Sequence, residues 1–275
     1  MDAQKNLYEI QMECFEIFKS QNPEDFDVAF EIDGKKLYAD KSRLTKISPT
    51  FKSMLSDRWM SKDETFKIET FGYENFKEFI TFIYSGECSL NDENIFDMID
   101  IAEFYGVKTF KNACDKYLSH IEYNSENVFR FFEISDIYSL LKLNESTNAF
   151  ICKNFENILK SETFKSLPKP LMKTVVASYP IRMEEFFEAV FKWAEFQAVK
   201  KQELNENLNV QETIKEYLVE ILQFFKFDQM SIEFLVKFVV RIYDKNGKIM
   251  KGVLNCHEME KVCDVIDSQK NKPLF

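Results

Sequence analysis

The first clear pattern of hydrophobic and polar positions in this chain is a strict alternation over residues 26–32. The apolar members of that alternation are Phe26, Val28, Phe30 and Ile32. Asp33-Gly34 follows, a pair that tolerates the positive φ angles of a tight turn, and the chain can return through residues 35–39. The pattern therefore predicts an antiparallel hairpin with one apolar face.

Helical signals follow the hairpin. Ser48-Pro49 predicts an N-cap and a first helical residue, and residues 65–69 alternate again as a third short strand. From Tyr73 the apolar period changes to that of a helix, which stops at Gly86. Two more amphipathic stretches end near residue 120. Together these elements predict an α+β fold, a small sheet covered by helices.

These residues resemble the BTB/POZ domain in the family's own order of elements. The motifs that carry the resemblance are Phe26-Asp27-Val28 with Phe30, Leu37 to Leu44, Ser48 to Met54, Phe76 to Gly86, and Ala102 to Val107. Asp40 stands where the family usually has histidine, a change that bears on local hydrogen bonding more than on the fold. The resemblance implies a BTB/POZ fold over residues 24–120.

Residues 121–241 show only helical periodicity, and their motifs resemble the all-α BACK domain. The residues concerned are Asn127-Val128, Phe150 to Phe155, Phe164 to Leu171, Phe187 to Trp193, and Phe225 to Leu235. Residues 1–23 precede the BTB domain as a helix, and residues 242–275 form a short tail. About 35 residues after Arg241 are too few for a kelch propeller.

Composition favours an intracellular protein. Hydrophobic residues make up 45% of the 275-residue chain, enough for two cores. Six cysteines lie far apart without CxxC pairs, so we expect reduced thiols and neither a disulfide framework nor a metal site. No apolar run is long enough for a membrane span, and no leader is evident. We expect a soluble cytoplasmic or nuclear protein that does not bind membranes.

Charge and motif content argue against nucleic acid and against catalysis. The net charge is −10, and residues 24–120 carry 13 basic against 19 acidic side chains. Zinc-finger spacing is absent. Only two histidines are available for a catalytic arrangement, and no glycine-rich phosphate loop occurs. We expect a protein that is not an enzyme and needs no cofactor.

The N-terminal helix predicts a surface that must be covered. Its apolar stripe consists of Leu7, Ile10, Cys14 and Ile17. The helix either packs on its own domain or, as the BTB resemblance implies, crosses a two-fold partner in a homodimer. The resemblance also places Asp27 and Lys41 in a charged pair at that interface, although an ordinary surface pair is an equal alternative.

The resemblance further implies an adaptor that dimerises and bridges cullin-3 to an unknown protein substrate for ubiquitin transfer. The corresponding candidate cullin-binding residues are Trp59, Met60, Phe104, Tyr105 and Tyr123. Trp59, Met60 and Tyr105 are either exposed anchors or ordinary core residues. Ser61 or Lys62 stands where many cullin-binding relatives have glutamate, so a scaffolding protein without a ligase is the alternative.

The tail has few signals. Residues 244–247 read as a turn, and residues 257–266 as a short helix that covers the last helices of the BACK domain. Cys256, His257 and Cys263 have a spacing that fits no common metal site.

Overall fold

The computed structural model of the chain describes residues 3–56, 65–179, 183–235, 242–243 and 249–251. The fold divides into two compact units, one of residues 1–123 with 129–149 and the other of residues 124–128 with 150–275. The predicted turn at 244–247 and helix at 257–266 lie outside the described residues.

The hairpin prediction is confirmed. Strands β1 (Val28–Ile32) and β2 (Lys35–Ala39) pair antiparallel, with Val28 opposite Ala39 and Ile32 opposite Lys35. The connecting Asp33 and Gly34 have φ angles of 50° and 73°, as a turn of this hand requires. Strand β3 (Thr65–Lys67) joins β1 in parallel, which gives the sheet order β2-β1-β3.

Helices cover this sheet in the first unit, as predicted. In chain order they are α1 Ala3–Ser20, α2 Lys41–Ile47, α3 Pro49–Met54, α4 Tyr73–Ser85, α5 Ile95–Tyr105, α6 Lys108–Leu118, α7 Val128–Ile137 and α8 Leu141–Lys153. Ser48 Oγ accepts the N–H of Phe51 at 3.0 Å and caps α3. Gly86 ends α4 with φ 82°, so both predicted ends are confirmed.

Aromatic rings fill the core of the first unit. Tyr105 lies at its centre, with its ring stacked on Phe51 at 4.3 Å and tilted against Phe79 at 5.2 Å, measured between centroids. The side chains of Phe131, Leu140 and Leu143 belong to the same core. Helices α7 and α8 up to residue 149 therefore group with the first unit, whereas the sequence placed the start of the helical domain at residue 121.

The second unit is helical in nearly all of its described residues. Its further helices are α9 Phe155–Leu159, α10 Glu162–Ser166, α11 Lys169–Ser178, α12 Met183–Leu204, α13 Val210–Leu218 and α14 Ile232–Phe234. Trp193 of α12 is fully buried, and its indole N–H donates to the Leu167 carbonyl at 2.8 Å. A two-stranded pair, β4 (Ile242–Tyr243) and β5 (Ile249–Lys251), follows.

Candidate functional site

Helix α1 packs on its own domain through part of its apolar surface. There Phe18 stacks on Tyr84 of α4 at 4.3 Å, and the Gln11 amide donates to the Tyr84 carbonyl. Beside these contacts Leu7, Ile10 and Ile17 are 67%, 59% and 50% exposed, and Cys14 is half-buried. We call these four residues the α1 outer face. The helix therefore packs on its own domain and still leaves the predicted dimer stripe largely open.

The predicted charged pair, Asp27 and Lys41, is joined by a hydrogen bond from the backbone of Lys41 to the carboxylate of Asp27. The N–H of Lys41 donates to Asp27 Oδ1 at 2.6 Å. Lys41 is the first residue of α2, so the Asp27 carboxylate satisfies a donor that the helix itself leaves free. Asp27 thus stabilises its own subunit, and a role at a dimer interface would be additional.

Asp40, the departure from the family pattern, forms a closed pair with Tyr84. The Asp40 N–H donates to the Tyr84 hydroxyl at 2.7 Å, and that hydroxyl donates to Asp40 Oδ2, also at 2.7 Å. Burial, followed by the hydrogen bond to Asp40, raises the pKa of Tyr84 and keeps its phenol protonated. The substitution is therefore accommodated by a partner within the same fold.

The structure describes three of the five candidate cullin-binding residues, and these three differ in exposure. Trp59 and Met60 lie outside the described residues. Phe104 is 54% exposed, but its neighbour Tyr105 is 1% exposed and belongs to the core. Tyr105 is therefore a core residue and not an exposed anchor, because its ring packs against Phe51 and Phe79.

Tyr123 is half-buried and connects two helices of the first unit. Its hydroxyl donates to the Leu118 carbonyl at 2.9 Å and lies 2.7 Å from Ser146 Oγ on α8. Its ring meets Phe131 of α7 edge to face at 5.8 Å. Tyr123 therefore contributes to the packing of α6, α7 and α8 against one another.

Two exposed residues were not among the predicted candidates. Ile137 at the end of α7 is 66% exposed and Leu141 at the start of α8 is 74% exposed. Between them the Tyr138 hydroxyl donates to Asp100 of α5, one helical turn before Phe104. We call Phe104, Ile137 and Leu141 the far-end surface. Ile137 is the last residue of α7, and no sequence signal marks its exposure.

Charges of both signs lie near the far-end surface. Asp100 and Glu103 of α5 both raise the pKa of Tyr138, to about 12, and the hydrogen bond to Asp100 is the largest cause. Glu103 also pairs with Lys111 of α6 at 2.7 Å. The exposed apolar residues suit a partner with an apolar anchor.

The second unit has a groove of about 520 Å³ between α9, α10 and α12. Its lining is Glu156, Leu159, Lys160, Lys165, Glu185, Glu188, Ala189 and Lys192. Lys165 pairs with Glu162 and Lys192 with Glu188, each at 2.6 Å, so opposite charges balance locally. Within the described ranges no group of His, Cys, Asp and Glu side chains could hold a metal ion. Every helix in those ranges is too short or too polar to traverse a bilayer.

Comparison with protein families decides the classification. Residues 16–122 match the BTB/POZ domain, and residues 128–240 match the domain described as BTB And C-terminal Kelch, or BACK. The chain belongs to the BTB–BACK proteins. The BTB–BACK match thus covers both units of the fold.

The BTB–BACK chain is similar to two curated mouse proteins. Kelch-like protein 28 of Mus musculus is 21% identical over 233 residues, which are 83% of this chain and 38% of that protein. Kelch-like protein 9 of Mus musculus is 23% identical over 212 residues, which are 75% of this chain and 32% of that protein. The chain therefore spans between about a third and two fifths of the length of these relatives.

Among solved structures, the BTB domain of human gigaxonin is 19% identical. That match covers 42% of this chain and 93% of the gigaxonin domain, with a TM-score of 0.37.

Proposed function

We propose that this BTB–BACK chain is a homodimeric adaptor that binds cullin-3 through its first unit and a protein substrate through another surface. An adaptor of this kind assists ubiquitin transfer by holding two partners together, which requires no catalytic group of its own. The observation that carries the proposal is the far-end surface, a set of three exposed apolar side chains in the first unit. The BTB resemblance implies that the cullin docks at this end of the domain.

The α1 outer face supports the homodimer. Three of its four side chains are at least half exposed, although they are large and apolar. Exposed stripes of this kind mark interaction sites in soluble proteins, and a two-fold partner would cover each stripe with its own copy.

The cullin proposal is tested by titrating the purified chain with the N-terminal domain of cullin-3. We expect a complex that Ile137→Asp/Leu141→Asp weakens at least about tenfold, because a buried unpaired charge costs several kcal/mol at an interface. The control is Val199→Asp, at an apolar position on α12 of the other unit that is 47% exposed. A parent chain that forms no complex, or a double variant that binds like the control, contradicts the proposal.

The dimer is tested by light scattering. The subunit mass is 32.7 kDa, and we expect twice that value for the parent chain. Leu7→Asp/Ile10→Asp should give the monomer mass, and Ile137→Asp/Leu141→Asp should remain dimeric. A parent that dimerises but does not bind cullin-3 would favour the alternative, a scaffolding protein that acts without a ligase.

A further inference from the structure

Helix α8 begins without a cap of its own. Leu140 precedes it, and a hydrocarbon side chain cannot accept the first free N–H groups of a helix. Those groups are satisfied from α6 instead. The N–H of Lys142 donates to Asp115 Oδ2 at 3.0 Å, and the N–H of Leu143 donates to Asp115 Oδ1 at 2.9 Å.

Asp115 is a buried charge whose two oxygens face this helix start. The residue is 6% exposed, and a carboxylate so far from water is costly unless it accepts hydrogen bonds. Two backbone donors and the positive end of the α8 dipole supply that compensation. Leu140 and Leu143 are buried around it, so water has little access to replace either bond.

Aromatic contacts attach α7 to the rest of the first unit. The Phe131 ring lies 6.5 Å from Phe96 and 5.8 Å from Tyr123. Helix α8 itself makes polar contacts further along, where Ser146 Oγ lies 2.7 Å from the Tyr123 hydroxyl and Asn144 Nδ2 donates to Ser135 Oγ at 3.2 Å. The Asp115 bonds add the fixed point at the start of the helix.

We propose that Asp115 is a positioning residue that fixes α8 to the BTB domain. It thereby holds Leu141, the residue before its two donors, in the far-end surface. The identity of the partner at that surface rests on the proposed function, but the attachment of α8 does not.

The test is backbone amide exchange of the full chain, followed residue by residue with NMR. In Asp115→Asn one acceptor is replaced by an amide N–H₂ that cannot accept. We expect the amides of Lys142 and Leu143 to exchange about tenfold faster or more, the factor that corresponds to one lost charge-assisted hydrogen bond. Amides of α4 should keep the protection they have in the parent, which verifies that the variant is folded.

Asp92→Asn is the matched control. Asp92 is an exposed carboxylate of the same unit, and it accepts a hydrogen bond from the hydroxyl of Tyr117 on α6 at 2.9 Å. We expect no change at Lys142 or Leu143. Asp115→Glu is the second variant, and its longer carboxylate should give an exchange rate between those of the parent and Asp115→Asn.

Unchanged exchange at Lys142 and Leu143 in Asp115→Asn overturns the inference. If only Asp115→Glu can be purified, exchange no faster than in the parent overturns it as well. Faster exchange supports the attachment whether or not cullin-3 binds, so failure of the proposed function is recognised separately. In a chain that does bind cullin-3, Asp115→Asn should also weaken binding about tenfold relative to Asp92→Asn.

Discussion

Phe104 and Tyr105 are adjacent in sequence and opposite in environment. Helix α5 turns its 98, 102 and 105 positions to the core and its 97, 100 and 104 positions outward. The spacing from Met98 and Ala102 places Tyr105 on the inner face of α5 and leaves Phe104 outside it. The rings of Phe51 and Phe79 then cover Tyr105.

Alanine substitutions at Tyr105 and at Phe104 should differ in their effect on stability. We expect Tyr105→Ala to lower the free energy of unfolding by about 3–5 kcal/mol, because it leaves a cavity in the aromatic core. Phe104→Ala should lower it by less than about 1 kcal/mol, since the ring is mostly in solvent. Urea denaturation of the two variants measures both values, and equal losses would contradict this assignment of core and surface.

Asp40 was visible in the sequence only as a departure from a pattern. Its partner Tyr84 lies 44 positions away, so the pair could not be read from local spacing. The phenol bonds both to the N–H and to the carboxylate of Asp40 because it offers a donor and an acceptor at one atom.

At the scale of elements, the sheet has a protected edge. Strand β2 is an outer strand, and the side-chain amide of Gln21 pairs with its exposed backbone. The Tyr38 N–H donates to Gln21 Oε1 at 2.9 Å, and Gln21 Nε2 donates to the Tyr38 carbonyl at 3.2 Å. Gln21 reaches this position from the end of α1 with a φ angle of 50°. The amide occupies backbone groups that another strand could otherwise pair with.

We therefore expect Gln21→Ala to cost about 1 kcal/mol of unfolding free energy, the usual net value of lost hydrogen bonds. The Tyr38 amide should exchange faster in this variant. Gln223→Ala is the control, because its side chain bonds only to the Glu220 carbonyl at the surface. Tyr38 protection that survives Gln21→Ala would show that the edge does not depend on this amide.

Helix ends differ in how far sequence predicts them. Ser48 and Gly86 act on their own helices, so spacing alone identified both. The cap of α8 comes from Asp115, more than 25 positions earlier. No local rule connects those positions, and only the packing of α6 against α8 does.

At the scale of the whole molecule, thiol and phenol groups with a raised pKa make the stability of the folded chain depend on pH in the alkaline range. Burial raises the pKa of the Cys88 and Cys114 thiols from about 9 to about 12. The hydrogen bond to Asp100 raises that of Tyr138 from 10 to about 12. Because these pKa values are higher in the folded chain, their contribution is complete below about pH 9 and is lost as pH rises toward 12.

We expect the urea midpoint to fall between pH 7.5 and pH 10.5. Cys114→Ala should flatten that dependence, because it removes one thiol that releases its proton on unfolding. Cys152→Ala changes an exposed thiol and serves as the control. A midpoint that is constant across this range, or slopes that are identical in the two variants, would contradict the linkage.

The sequence by itself determined the hairpin, the helix ends at Ser48 and Gly86, the α+β class and the BTB–BACK family. The first three depend on alternation, helical period or turn chemistry over a few neighbouring residues, and the family was identified from ordered motifs that resemble it. Helical spacing named the α1 outer face, whereas the family resemblance named both Phe104 and Tyr105 as candidate cullin-binding residues.

Tertiary structure alone decided the exposure of Ile137 and Leu141 and the place of α8 beside Asp115. It also grouped residues 129–149 with the first unit. The physical reason is common to all of them. Burial and capping by a distant side chain depend on which elements meet in space, and the periodicity of one element is compatible with several such arrangements.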